Sequence, residues 1–349
     1  MKLFEPYQLG NLTLPNRVVM APMTRNRAAG TIPQQIAALH YAARASAGLI
    51  VSEATQVSPR GQGYHDTPGL HSAAQVQGWR AVTDAVHRAG GRMFVQLSHV
   101  GRLSHSDYHG QPPVAPSAVP AGGFIRTPKG LRPYERPWVP STSEVLDLVD
   151  EFRRASELAR EAGFDGVEVH GGSGFLVDQF LQSGTNQRPD RYGGSLENRL
   201  RFAREVVEAV AGSWDRSAIG FTVSPGGSHK GIRDGNPVET FTALAAALEA
   251  DGIGYLHVLE EPIGDLSPAR LLREHFHGTL TSSGSYTRDT AEEVLLSGDA
   301  DLVAFGRAFT ANPDLVEKLR ANALLALPDP RTFYSGGAAG YVDAVAVET

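Results

Sequence analysis

The chain of 349 residues contains no cysteine. That excludes disulfides, thiolate nucleophiles and cysteine-ligated metals. No apolar run approaches the roughly 20 residues needed to cross a bilayer. The N-terminal stretch MKLFEPYQLG has no basic segment followed by an apolar run, so no signal peptide is expected and a cytoplasmic location is the default. Positive charge is not in excess. The 32 Lys and Arg against 38 Asp and Glu give a net charge of −6, and the basic residues are spread along the chain. Nucleic acid is therefore not an expected partner. The histidines at 99, 105 and 109 match no common ligand spacing, and no metal site is expected.

What remains is an ordinary globular composition, 41% hydrophobic and 20% charged, on a chain long enough to bury a large core. Eight short apolar runs read as strands at 17–20, 49–52, 92–97, 166–170, 219–223, 255–259, 279–282 and 302–305. Their near-continuous apolar character suits parallel strands buried on both faces. Helical patterns fall between them at 34–46, 74–88, 143–161, 196–211, 239–249, 268–275, 288–296 and 313–321, with Ser143 and Asp289 as capping residues.

Eight alternations favour a (β/α)8 TIM barrel over an open sheet. An open sheet would carry a glycine-rich phosphate turn after its first strand, where this chain has APMTR at 21–25. The whole chain, 1–349, reads as one barrel domain. Two segments fall outside the repeat. Residues 100–142, rich in Pro, Gly, Ser and His, form an excursion after the third strand that acts as a lid or subdomain. Residues 328–349 form a tail bearing Pro, Gly and Tyr.

Barrel enzymes place their chemistry at the C-terminal ends of the strands. Here those ends carry Pro22, Met23 and Thr24; Glu53 and Ala54; Gln96 and His99; His170 and Ser173; Thr222 and Ser224; Glu260 and Glu261; Ser283, Gly284 and Ser285; and Gly306 and Arg307. The last two ends combine backbone amides, glycines and a guanidinium, the elements of a phosphate site. The alternative is a plain glycine turn beside a surface arginine. His170 closes a buried strand and suits hydrogen bonding to a carbonyl, or else a core histidine held by a backbone carbonyl. Glu260 and Glu261 point to opposite faces and read as a solvated loop. Tyr64 lies in a Gly/Pro loop, where an aromatic stacks on a ligand or packs a turn.

Several longer motifs carry a family resemblance over essentially the whole chain. They are LFEPYQLGNLTLPNR (3–17), APMTR (21–25), EATQVSPRGQGY (53–64), DQFLQ (178–182), NQRPDRYGGSLENR (186–199), AFGR (304–307) and the FY…GG…GY tail. Together they resemble the Old Yellow Enzyme family of FMN-dependent oxidoreductases. The resemblance implies FMN across the barrel mouth, with its phosphate on Ser283, Gly284, Gly306 and Arg307. Pro22, Met23, Thr24, Ala54, Gln96 and Thr222 would line the flavin ring, Thr24 at its C4 carbonyl. It further implies NADPH or NADH as reductant and an α,β-unsaturated carbonyl compound as substrate, met by Tyr64, Ser98, Phe175 and Tyr341. Homo-oligomers occur in the family.

The chain departs from the family at four places. Where the family reads His-Gly-Ala-(Asn/His)-Gly-Tyr, this chain reads HGGSGF at 170–175. The carbonyl donor His170 is kept, Ser173 replaces the second donor, and Phe175 replaces the tyrosine that protonates the substrate. Thr222 replaces an arginine beside flavin N1, a charge that Lys230 or Arg233 on the following loop would have to replace. Ser98 replaces a tryptophan, which opens space for a bulkier substrate. Three readings stay open: an ene-reductase that takes its proton from water, a redox-neutral isomerase, cyclase or dehydrogenase on a bulky natural product, and a non-flavin catalyst or binding protein on the same barrel.

Overall fold

Eight apolar runs form parallel strands: β1 (Val18–Met20), β2 (Leu49–Val51), β3 (Met93–Ser98), β4 (Gly166–His170), β5 (Ile219–Val223), β6 (Tyr255–Leu259), β7 (Thr279–Ser283) and β8 (Leu302–Phe305). In this computed structural model, which describes residues 1–334 and 336–342, each strand pairs in parallel with its sequence neighbours, and β8 returns to pair with β1. The closed ring is the (β/α)8 barrel expected from the sequence. Tail residue Ser335 and residues 343–349 lie outside the described residues.

Side chains alternate between two environments along every strand. Val19, Leu49, Val51, Phe94, Tyr255, Leu302 and Ala304 fill the lower interior together with Leu9 and Leu14. The latter two come from an N-terminal hairpin, Tyr7–Leu9 with Leu12–Leu14. The opposite set, including Val18, Ile50, Val95 and Val167, packs outward against the helices. Above the apolar plug the interior turns polar, and that level positions the site.

The helices are α1 (Gln35–Ala42), α2 (Ala73–Arg88), α3 (Thr142–Glu161), α4 (Leu196–Ala211), α5 (Pro237–Asp251), α6 (Pro268–Arg273), α7 (Arg288–Ser297) and α8 (Leu315–Ala321). Two expected caps are corrected. Ser141, not Ser143, caps α3, and Thr287, not Asp289, caps α7. Each true cap has a partner three residues on, Glu144 or Thr290, that reaches back to its backbone N–H, so the earlier residue satisfies two donors at once. α1 is shorter than its pattern. It ends at Ala42, and the Arg44 guanidinium turns back to the carbonyls of His40 and Phe309.

The excursion after β3 holds a short helix, Ser106–His109, and an exposed hairpin, Phe124–Thr127 with Gly130–Pro133. The tail lies over the end of β1, where Arg25 and Arg27 donate to the carbonyls of Phe333, Gly340, Gly337, Thr332 and Ala339. No described helix is long and apolar enough to cross a membrane.

Candidate active site

Two adjoining cavities open at the C-terminal ends of the strands and share Ala21, Pro22, Thr24 and Ser283 as a common wall. The larger, about 630 Å³, is lined by Met23, Gly284, Ser285, Tyr286, Gly306, Arg307, Phe333 and Tyr334 among others. The smaller, about 190 Å³, is lined by Ala54, Gln96, His170, Ser173, Phe175, Thr222 and Leu259. Of the sixteen residues expected to meet cofactor or substrate, thirteen line these two cavities.

At the outer end, the chain leaves β8 through Gly306. A Cβ there would sit 3.3 Å from Met23 Sδ, so a side chain would press on the cavity wall. Arg307 follows, exposed at the cavity edge, and among the described residues its guanidinium has no hydrogen-bond or ion-pair partner. A free cation beside closely approachable backbone suits an anionic group. Glu260 is not the solvated residue its sequence setting suggested. It accepts from Ser267 Oγ and Ala269 N at the start of α6 and from Ser282 Oγ on β7, and so fastens strand to helix.

The floor of the inner cavity is a polar cluster centred on Glu168. Gln96 Nε2 donates to Glu168 Oε1 at 2.7 Å and lies 3.3 Å from Thr222 Oγ1. Thr222 donates to the same oxygen at 2.5 Å. The other oxygen, Oε2, accepts from the Tyr255 hydroxyl at 2.7 Å and faces His257 Nδ1 at 2.9 Å. Burial alone would raise the Glu168 carboxyl. The attraction of His257 and the surrounding donors outweigh it and hold the group at about 2. The sequence reading missed both Glu168 and His257. Their signal was a polar residue at every second position of an otherwise apolar strand, Glu168 with His170 and Tyr255 with His257.

His170 forms one wall. Its Nδ1 is buried with no protein partner, and burial lowers the ring to about 4 despite the opposing attraction of Glu168. At neutral pH it is an uncharged imidazole with one N–H to donate. Beyond it the chain takes two left-handed residues in succession, Ser173 (φ 56°) and Gly174 (φ 76°). The turn is pinned by Ser173 N donating to Ser224 Oγ at 2.7 Å and Gly174 N donating to Asp178 Oδ2 at 2.8 Å. It aims the Ser173 and Phe175 side chains into the cavity and starts the helix Leu176–Leu181.

Three expected site residues lie elsewhere. Tyr64 backs Phe175, ring centroids 6.5 Å apart, in an apolar patch with Val100 and Leu103, and does not form the cavity wall. Ser98 is buried at the end of β3, its carbonyl accepting from Val57 N, and likewise does not reach the cavity. Tyr341 is corrected outright. It is buried, stacked on His40 at 3.8 Å and flanked by Arg25 and Arg27, and anchors the tail beneath the mouth. Lys230 does not take the place of a cation at Thr222, because its Nζ sits over the Tyr134 ring at 5.5 Å.

The chain is similar to known proteins over nearly its whole length. Residues 2–325 match the pattern of the NADH:flavin oxidoreductase / NADH oxidase family. The 12-oxophytodienoate reductase 7 of Oryza sativa subsp. japonica is 41% identical, over 98% of this chain and 93% of its own. Among solved structures, morphinone reductase in complex with tetrahydroNAD superposes with a TM-score of 0.94 at 45% identity, covering 98% of this chain and 97% of that one. The old yellow enzyme homologue from Zymomonas mobilis gives 0.95 at 39% identity, with 98% and 99% covered.

Proposed function

Because the chain belongs to the NADH:flavin oxidoreductase / NADH oxidase family, we propose that it is an FMN-dependent ene-reductase that uses NADH or NADPH to reduce an α,β-unsaturated carbonyl compound. FMN is the family's cofactor, and the residues present fit it. The outer cavity offers Ser283, Gly284, Gly306 and the unpartnered Arg307 for a phosphate. Pro22, Met23, Thr24, Ala54 and Gln96 frame the passage to the inner cavity and would line the flavin ring. When bound, the flavin supplies the two-electron chemistry that no side chain here provides.

The observation that carries the substrate assignment is His170. It is a neutral imidazole on the cavity wall, which the Ser173 side chain also lines. Two neutral donors lining one cavity suit a carbonyl oxygen that gains negative charge as the neighbouring carbon–carbon bond is reduced. Phe175 occupies the place of a proton donor and has no proton to give, so the α-carbon takes its proton from water. The relatives named for 12-oxophytodienoate and morphinone favour a bulky ketone. Short Ser173, in place of a longer amide or imidazole, leaves room for one.

Incubation with NADH or NADPH and a panel of small and polycyclic enones tests this by product mass. A gain of two hydrogens supports reduction. Phe175 also favours a second reading, a redox-neutral isomerisation or a dehydrogenation, because neither needs the α-carbon protonated. In air and without nicotinamide, a new isomer of unchanged mass, or a loss of two hydrogens with oxygen as the electron acceptor, would replace the first reading with the second.

A further inference from the structure

The DQFLQ motif at 178–182 lines neither cavity, yet it holds the turn that enters one of them. Gly174 stands between Ser173 and Phe175, the two residues of this turn that line the inner cavity. Its backbone is gripped on both sides by consecutive residues of the helix that follows. Gly174 N donates to Asp178 Oδ2 at 2.8 Å, and Gly174 O accepts from Gln179 Nε2 at 2.7 Å.

Gln179 is completely buried, and its carboxamide does more than close the turn. Nε2 also donates to Val100 O at 2.9 Å, and Oε1 accepts from Arg102 N at 3.1 Å. The nitrogen faces two carbonyls and the oxygen faces an N–H, so an amide in one orientation satisfies all three. Gly101, left-handed at φ 61°, allows the 100–102 loop to come this close. A Cβ there would stand 2.3 Å from Gln179 Oε1. Arg102 carries the connection outward. Its Nη1 donates to Val119 O at 3.3 Å and Pro120 O at 3.4 Å in the excursion after β3, and its Nη2 to Lys230 O at 3.2 Å in the loop after β5.

We propose that Gln179 is a positioning residue of the enone site, the joint that ties the excursion after β3 to the turn that aims Ser173. Two successive left-handed residues, one of them serine, keep a single shape only where their surroundings impose it. Gln179 imposes it from one side of Gly174, and the 100–102 loop holds Gln179 in turn. A misplacement of about 1 Å at such a site costs on the order of 10²-fold in rate. The role in the reaction rests on the enone reading above, whereas the joint itself does not.

The test is a double-mutant cycle on the FMN-loaded protein. Stopped flow reads reoxidation of the reduced flavin by 2-cyclohexenone in wild type, Gln179→Met, Ser173→Ala and the double variant, beside their FMN dissociation constants. Methionine fills the volume and removes the three hydrogen bonds. Gln179→Met is expected to slow reoxidation about tenfold with FMN affinity unchanged, and by less than about twofold where Ser173 is already alanine. An equal loss in both backgrounds, or FMN affinity falling with the rate, would mean general loosening and overturn the proposal. Amide hydrogen exchange of the wild type without FMN tests the joint even if Gln179→Met fails to fold. The N–H groups of Gly174 and Arg102 are expected to open together, with protection within about tenfold of each other. A wider gap would show two independent loops and overturn it. A wild type that the enone does not reoxidise would count against the enone reading alone, because exchange still judges the joint.

Discussion

The Phe175 ring meets His170 edge-on, with centroids 4.6 Å apart and planes at 61°. The imidazole proposed to hold the substrate carbonyl therefore abuts a hydrocarbon at the position where the family resemblance implies a phenol. A hydroxyl on that ring would lie at the cavity that both residues line. General-acid help from such a group is worth ~10²–10⁴-fold. Phe175→Tyr is expected to speed reduction of 2-cyclohexenone by at least about tenfold, measured as reoxidation of the reduced enzyme by the enone. An unchanged rate would show that proton delivery does not limit turnover.

Ser173 holds a left-handed backbone (φ 56°) that serine adopts at a cost and asparagine tolerates better. Ser173→Asn should leave stability unchanged or raise it by about 0.5 kcal/mol, while its longer amide reaches further toward a bound carbonyl. The expected kinetic result is a lower KM for small enones and a poorer one for polycyclic substrates. Equal effects on both classes would argue against Ser173 as the residue that makes room.

Arg307 stands alone at the edge of the outer cavity. Charge-assisted hydrogen bonds are worth about 1.5–3 kcal/mol, so Arg307→Ala should weaken FMN binding by roughly 10- to 100-fold. Because the side chain is exposed and has no hydrogen-bond or ion-pair partner among the described residues, the melting temperature of the FMN-free protein should not move. A stability loss without a change in FMN affinity would reassign it to a structural role.

His170 also gives a pH signature. Burial lowers its folded value to about 4, against about 6.5 in an unfolded chain. Between those values the unfolded state binds the additional proton, so stability falls as pH is lowered from about 6.5 to about 4, by on the order of 3 kcal/mol in full. Glu53, Glu151 and Asp178, raised to about 7 by burial, act with the opposite sign, losing stability as pH rises from the carboxylate range toward 7. Comparison with His170→Asn isolates the histidine. The variant should gain on wild type in melting temperature as pH drops from 7 to 5, and parallel curves would show that His170 is not a neutral buried ring.

Much of this fold is legible in the sequence alone. Four strands, Gly166–His170, Ile219–Val223, Tyr255–Leu259 and Leu302–Phe305, keep the boundaries their apolar runs gave, because parallel strands buried on both faces leave little ambiguity. Caps were less legible, since Ser141 and Ser143 differ only in whether a Glu stands three residues on. Tyr341 was misplaced because a tail's path depends on distant partners, here Arg25, Arg27 and His40, which no local pattern reveals. Glu168 was passed over because a single carboxylate within an apolar strand shows its meaning only once β3, β5 and β6 bring Gln96, Thr222 and His257 to it.

The central claim is that this barrel mouth holds FMN and passes electrons from a nicotinamide to an enone bound at His170. Anaerobic stopped-flow spectroscopy of the FMN-loaded protein reads both halves directly. The account predicts that NADH or NADPH bleaches the flavin absorbance and that 2-cyclohexenone then restores it, with the second step slowed in His170→Asn. A flavin that neither nicotinamide reduces, or a reduced enzyme that enones leave bleached, would contradict it.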